Sequence, residues 1–289
     1  VVSECDLLIN IGARFSDRVI SDIKRFAPKA RIMHIDADPA EINKNVTVQF
    51  ALTGNITHIL KEILGKTKAT DETEWAKTVR KWKEEYKLVF PENGALRPSY
   101  IIEKFHELTD GDAIVTTEVG QNQIWAAQFY TCNRPRQYIS SGGLGTMGYG
   151  TGAAIGAQIA RPDKRVINFA GDGSFRMNCN ELATAVYYKL PVIIAVLNNG
   201  TLGMVRQWQT MFYEKRYSQT TLDRGPDFVK LAEAYGAIGI RVKTPQEVRP
   251  AIEKALASKE VPVVIDFVID IDERVLPIVP PGKGIDQLI

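Results

Sequence analysis

The sequence predicts an α/β protein in which a three-layer domain on a parallel sheet follows a partial α/β domain. Short β-branched runs alternate with longer amphipathic segments, the order that gives parallel strands covered by helices. A chain of 289 residues, 45% of them hydrophobic, has enough apolar side chain for two cores. Two of the apolar runs also end in polar, glycine-containing turns, GDG at 171–173 and NNG at 198–200, where the chain would leave neighbouring strands.

The chain opens on VVSECDLLINIGARF, without an initiator methionine, and enters a strand at 6–11 almost at once, so it reads as a piece of something longer. A helix near 17–26, a strand at 31–35 and a helix near 56–63 are too few elements for a complete doubly wound domain. Residues 1–65 therefore read as the C-terminal half of one. In 66–97 the charge density rises from Asp71 to Lys87, and Trp75, Val79, Trp82 and Tyr86 recur at helical spacing, which predicts a helical connector. The turn formers of PENGALRP at 91–98 end it. Residues 98–289 form the second domain. Its predicted helices lie at 99–108 and near 121–130, 179–188, 203–211, 226–235 and 245–258. Its predicted strands lie at 113–117, 166–169, 192–197 and 263–268, with a glycine-rich stretch at 142–156.

Composition excludes several partners. Thirty-six basic and 34 acidic residues give a formal charge of +2, and the Lys and Arg are scattered rather than gathered into the stripe that duplex binding needs, so no nucleic acid is expected. Apolar runs such as 191–197 fall far short of the roughly 20 residues that cross a bilayer, and no signal-peptide pattern is present. The expectation is a cytoplasmic protein without a membrane partner. Cys5, Cys132 and Cys179 are odd in number and contain no C-x-x-C pair, which argues against a disulfide framework and a zinc site.

The stretch VINFAGDGSF followed by a helix and then PVIIAVLNNG is a βαβ unit. Its strands should be parallel with a right-handed crossover, which brings Asp172 and Asn199 to the same sheet edge. The helix between them is expected to start on an Asn178/Glu181 capping box. Carboxyl ends of parallel strands are where such sheets bind ligands. A carboxylate, an amide oxygen and a backbone carbonyl just after Gly200 form a hard oxygen set suited to Mg²⁺ or Ca²⁺, with positions left over for phosphate oxygens and water.

GDG, 24 intervening residues (174–197) and NN resemble the thiamine diphosphate (ThDP) binding motif of ThDP-dependent enzymes. With EVGQNQIWAAQ, SGGLGTMGYG, NNGTLGMVRQWQTMFYEKRYS and GARFSDRV, the chain resembles the acetohydroxyacid (acetolactate) synthase catalytic subunit from its first residues to LPIVPPGKGIDQLI. The resemblance implies metal ligation by the Asp172 and Asn199 side chains and the Thr201 carbonyl. It implies diphosphate contacts from Gly171, Gly173, Ser174, Gly120, Gln121 and Asn122, and from Leu202 and Gly203 where the next helix begins. Family members usually carry histidine at the position of Asn122. Gly145 would meet the aminopyrimidine, Met147 would lie beneath the bent cofactor, Met177 would form a pocket wall, and Met204 and Trp208 would face the substrate. In the first domain Gly12, Ala13, Arg14, Arg18 and Asp36 match an FAD site. Ser16, Asn55 and the Thr151–Gly152 pair depart from the family's usual residues.

The implied reaction decarboxylates pyruvate on ThDP with Mg²⁺ and joins the two-carbon unit to a second 2-oxo acid, in branched-chain amino acid biosynthesis. The implied partners are 2-oxo acids, a second copy of the chain in a homodimer or higher assembly, and a regulatory small subunit. The family's catalytic glutamate lies upstream, on the partner subunit. No glutamate of this chain sits in that motif, so the chain alone is expected to be inactive. Another ThDP-dependent decarboxylase or oxidase is the alternative within the superfamily. GLGTMG at 143–148 also satisfies the dinucleotide pattern G-x-G-x-x-G, but the acidic residue about 20 positions on is Asp163, in the turn RPDK rather than at a strand end.

Overall fold

The computed structural model describes residues 1–88 and 94–289; positions 91–93 of the predicted turn lie outside the described residues. The chain divides into two compact units, Val1–Pro91 together with Leu276–Ile289, and Glu92–Val275. The last fourteen residues, expected with the second domain, thus group with the first unit.

In the first unit β1 (Leu7–Ile11), β2 (Arg31–Asp36) and β3 (Phe50–Thr53) form a parallel sheet in that order. The third strand was not expected from sequence, because FALT is short and offers no long alternation for the eye to follow. One face packs on Phe15, Ile20, Phe26, Ile32 and Val46. On the other, Ile9 pairs with Met33 and Met33 with Phe50, while Ile11 pairs with Ile35 and Ile35 with Leu52. Ile9, Ile11, Phe50 and Leu52 of these rows are exposed. The expected helix at 17–26 is two shorter pieces, α1 (Asp17–Ile20) and a 3-10 turn Ile23–Arg25. Ser21 between them has φ +55, a left-handed value that no helix carries through. The unit also holds α2 (Ile56–Lys66) and α3 (Glu74–Glu85), in which Trp75 and Trp82 meet edge to face at 5.7 Å. Asn55 accepts the His58 N–H and caps α2, so this departure from the family residue has a local structural use.

The second unit contains α4 (Pro98–Leu108), β4 (Ile114–Thr117), α5 (Gln121–Phe129), β5 (Tyr138–Ile139), α6 (Tyr149–Ala160), β6 (Val166–Gly171), α7 (Asp172–Phe175), α8 (Leu182–Tyr187), β7 (Ile193–Asn198), α9 (Gly203–Phe212), α10 (Phe228–Ala234), β8 (Ile238–Val242), α11 (Pro245–Ala257) and β9 (Val263–Val268). Its six strands are all parallel in the order β5-β4-β6-β7-β9-β8. One face buries Ala170, Ile194, Val196 and Val264 beneath Phe175, Leu182, Phe228 and Ala232. The other carries Phe169 and Phe267, whose rings meet Phe105 of α4 edge-on at 5.4 and 6.1 Å. Helices on both faces complete three layers. β5 and β8 are edge strands absent from the sequence reading; β8 (IGIRV) is broken by a glycine and an arginine, which hid it.

The glycine-rich stretch ends in a regular helix, α6, whose small residues let it lie close on β4 and β6. One local expectation is corrected. The Asn178/Glu181 capping box does not form: Asn178 turns its amide to the Gly148 carbonyl at 2.8 Å, and the following segment begins as a 3-10 turn, Cys179–Glu181. A nearby acceptor across space outcompeted the local cap.

Candidate cofactor site

The strand order reverses at β4, which lies between β5 and β6, and the loops leaving β4, β6 and β7 meet there at the carboxyl edge of the sheet. β6 and β7 are hydrogen-bonded neighbours with Gly171 opposite Leu197. Asp172 is the first residue beyond β6 and Asn199 the first beyond β7. The sequence separation therefore closes to adjacency. These loops line a cavity of about 110 Å³. It brings together Gly120, Gln121, Asn122, Met147, Gly171, Asp172, Gly173, Ser174, Asn199, Thr201, Leu202, Gly203 and Met204, all named from sequence. Gly145, Met177 and Trp208 are not in its lining: Met177 is largely exposed, and Trp208 is half-buried and stacks edge-on against Phe212 at 5.4 Å.

Asp172 is buried, and burial pushes its carboxyl up to about 6 against the opposing pull of the Gly173 and Gly200 N–H groups. Gly200 makes a left-handed turn at φ +69, and its N–H donates to Asn198 Oδ1 at 3.2 Å. Asn199 Oδ1 accepts the Thr201 N–H at 3.2 Å. Thr201 is held in place by its hydroxyl on the Thr220 carbonyl at 2.8 Å and by an antiparallel bridge to Thr221. Among the described residues no hydrogen bond reaches the Thr201 carbonyl oxygen. A buried carboxylate that lacks a countercharge in hydrogen-bond reach, an amide oxygen and a free carbonyl form a donor set that fits a hard divalent cation. There is no group of three His, Cys, Asp or Glu side chains among the described residues that would hold a softer metal.

The rest of the lining suits an anion. α9 begins at Gly203, and Gly203, Met204 and Val205 of its first turn line the cavity, where a helix end carries partial positive charge. A Cβ at Gly203 would collide with Gln121 Oε1 and Asn199 Nδ2, so glycine is required by the close approach of these amides. Asn122 donates to the Phe169 carbonyl at 2.9 Å. That bond fixes α5 to β6.

Sequence reasoning missed Glu118 and Gln207. Glu118 is fully buried at the end of β4 and accepts the N–H groups of Gly148 at 2.7 Å and Thr151 at 3.1 Å, with the Thr151 hydroxyl at 3.4 Å. It thereby caps α6 and holds the loop that carries Met147, while Asn178 holds the Gly148 carbonyl from the other side. Burial pushes the Glu118 carboxyl up, with these N–H donors opposing. A carboxyl raised by folding favours the folded state while protonated, and that favour is lost as pH rises from the ordinary value of 4.5 through the folded one. Urea unfolding should show this falling contribution in the wild type and not in Glu118→Ala. At neutral pH the variant should be less stable by about 2 kcal/mol, since each buried N–H left without an acceptor costs about 1–3 kcal/mol and relief of the buried charge returns part of it.

In the first unit Gly12 follows β1 at φ +65 and Ala13, Arg14 and Arg18 are exposed. Asp36 ends β2, where its carboxylate accepts the Asp38 N–H at 2.9 Å and lies 3.4 Å from Nε2 of the buried His34. The first unit therefore brings Gly12 and Asp36 to the ends of neighbouring strands.

Comparison with known proteins agrees with this geometry. Residues 118–267 match the family described as thiamine pyrophosphate enzyme, C-terminal TPP binding domain, and residues 1–63 match thiamine pyrophosphate enzyme, central domain. The chain belongs to the thiamine pyrophosphate enzymes. It is 43% identical over 301 residues to the probable acetolactate synthase large subunit of Methanocaldococcus jannaschii, covering 100% of this chain and 50% of that protein. It is 41% identical over 293 residues to the acetolactate synthase large subunit of Haemophilus influenzae (99% and 51%) and 46% identical over 290 residues to that of Corynebacterium glutamicum (96% and 46%). The chain spans about half the length of the curated relatives it matches. Every residue that lines the cavity lies within 118–267, the part of the chain that matches the C-terminal TPP binding domain.

Proposed function

We propose that this chain forms the diphosphate and metal side of the ThDP site in an acetolactate synthase large subunit. The observation that carries the reading is the placement of Asp172 and Asn199 side by side at the tips of β6 and β7, with the free Thr201 carbonyl beside them. Asp172, Asn199 and Thr201 hold Mg²⁺. Gly171, Gly173 and Ser174 approach the phosphates with their backbone, and the N-terminus of α9 faces the same charge. A Cβ at Gly173 would lie 2.8 Å from Leu202 Cδ2 and 3.2 Å from Leu222 Cδ1, so a side chain there would have to displace these leucine ends.

ThDP held there by the residues above would supply the carbon acid and the electron-accepting ring that decarboxylation of a 2-oxo acid calls for. The chain's own work is to neutralise the diphosphate, to keep Met147 in place through Glu118 and Gly148, and to shape the acceptor end through Met204 on α9. Trp208 lies one turn further along α9. Proton handling at the aminopyrimidine requires a carboxylate from outside this chain, and turnover needs that carboxylate.

The names of the relatives support pyruvate and a second 2-oxo acid as substrates and a regulatory small subunit as partner. The exposed apolar rows of the first unit support assembly into a dimer or larger, and Gly12, Ala13, Arg14, Arg18 and Asp36 form the FAD side of the proposal. No helix among the described residues is long and apolar enough to cross a membrane, and the reading places the enzyme in the cytoplasm without nucleic acid. Titrating the chain with ThDP should give saturable quenching of Trp125, which lines the cavity, only when Mg²⁺ is present. Quenching without metal dependence contradicts the site. Product analysis on the chain joined to its upstream half then separates acetolactate from the aldehyde of a decarboxylase.

A further inference from the structure

Resting on that reading, we infer that Gln121 and Gln207 are positioning residues that decide which end of the Asn199 amide is presented to the cation. An asparagine amide has an oxygen end that a cation accepts and an NH₂ end that it repels, and the two have nearly the same shape. Packing alone does not choose between them. Hydrogen bonding does, and here the choice begins at the backbone of the segment that follows β9.

The Val275 N–H donates to Gln207 Oε1 at 2.9 Å, and the Val275 carbonyl accepts from Gln207 Nε2 at 2.8 Å. Both ends of Gln207 are thereby set. Its oxygen also accepts from Gln121 Nε2 at 2.8 Å, and that nitrogen donates a second time, to the Glu273 carbonyl at 2.9 Å. Gln121 Oε1 is left to accept from Asn199 Nδ2 at 3.2 Å. The Asn199 oxygen is the end that remains, bonded to the Thr201 N–H with acceptor capacity to spare. All three amides are buried, so reversing any one of them would set NH₂ against NH₂ or oxygen against oxygen where water cannot compensate. Gln121 therefore acts on the metal ligand rather than on the phosphates directly, since both ends of its amide are already engaged. Partners of this outer kind commonly change metal affinity by about 10- to 100-fold.

The test combines Gln207→Met with Asn199→Asp in the 289-residue chain, with far-UV circular dichroism and thermal unfolding to check that each variant folds. In the wild type the side-chain NH₂ groups of Gln121 and Gln207 should exchange slowly with water by NMR; rapid exchange of both overturns the relay without reference to any cofactor. In Gln207→Met the apparent Mg²⁺ affinity, read by Trp125 quenching at fixed ThDP, should fall roughly 10- to 100-fold. A carboxylate has two equivalent ends, so in the Asn199→Asp background the same substitution should change Mg²⁺ affinity by less than about threefold. An equal loss in both backgrounds overturns the inference and leaves Gln207 a packing residue. A wild-type chain that takes up no ThDP with Mg²⁺ sinks the functional reading and this inference with it, whereas uptake indifferent to Gln207 sinks the inference alone.

Discussion

Replacing Asp172 by Asn is expected to move two measurements in opposite directions. Burial pushes this carboxyl from 3.8 up to about 6. A carboxyl raised in this way favours the fold while protonated and loses that favour as pH rises through about 6, so near neutral pH the cofactor-free chain carries a buried charge at a cost on the order of 2–3 kcal/mol. Asparagine keeps the shape and stays neutral. Without metal, the variant should therefore be more stable than the wild type at pH 7 by up to about 2–3 kcal/mol in urea unfolding, and the difference should vanish below about pH 4. In the presence of Mg²⁺ the order reverses. The variant lacks the one charged ligand of the set, and its ThDP uptake should fall by more than the roughly 100-fold that marks the upper range for loss of an outer-sphere partner. A chain destabilised by Asp172→Asn without cofactor would mean that the carboxylate has a structural partner instead of waiting for a cation.

Gly150→Val is expected to cost roughly 3 kcal/mol or more. Gly150 lies in the first turn of α6, where a Cβ would stand 2.8 Å from the Glu118 nitrogen and 2.8 Å from the Thr117 carbonyl carbon and would collide with Asn168 Oδ1. Two of those three neighbours are backbone at the end of β4, so no rotamer change relieves the contact. Displacing α6 would also pull the Gly148 and Thr151 N–H groups off Glu118 and move Met147. Gly152, two residues on, has nothing within 4 Å of a built Cβ. Gly152→Ala should therefore stabilise by about 0.5–1 kcal/mol, the usual gain for removing a glycine from a helix. Thermal unfolding of the pair compares close packing with backbone freedom inside one helix.

What the sequence disclosed depended on how far each signal is local. Strand, helix, strand and two polar tips lie within residues 166–200, so parallel pairing alone puts Asp172 beside Asn199. Long apolar or amphipathic segments such as α4, β7, β9 and α11 were legible for the same reason. β3, β5 and β8 were not, because edge and short strands have few residues in which alternation can register and borrow their conformation from a neighbour. Asn178 was read as a cap because capping is a local rule, whereas its acceptor, the Gly148 carbonyl, is thirty residues away in sequence. Glu118 and Gln207 were missed on different grounds. A glutamate at a strand end looks like a solvated charge, and its burial follows from the close seat of α6, which only Gly150 hints at. Gln207 stands four residues after Gly203 and so on the cavity side of α9, a spacing that was available but is overshadowed by Trp208 next to it. Gln121 lines the cavity, while its hydrogen bonds to Gln207 and Glu273 span 86 and 152 residues, beyond any motif.

A crystal of the chain grown with ThDP and Mn²⁺ in place of Mg²⁺, measured at the manganese absorption edge, tests the central claim most directly. The account predicts one anomalous peak within roughly 2.0–2.3 Å of an Asp172 carboxylate oxygen, Asn199 Oδ1 and the Thr201 carbonyl oxygen, with diphosphate oxygens completing the shell. A peak elsewhere, or ThDP bound with Asp172 and Asn199 contacting no ion, would contradict it.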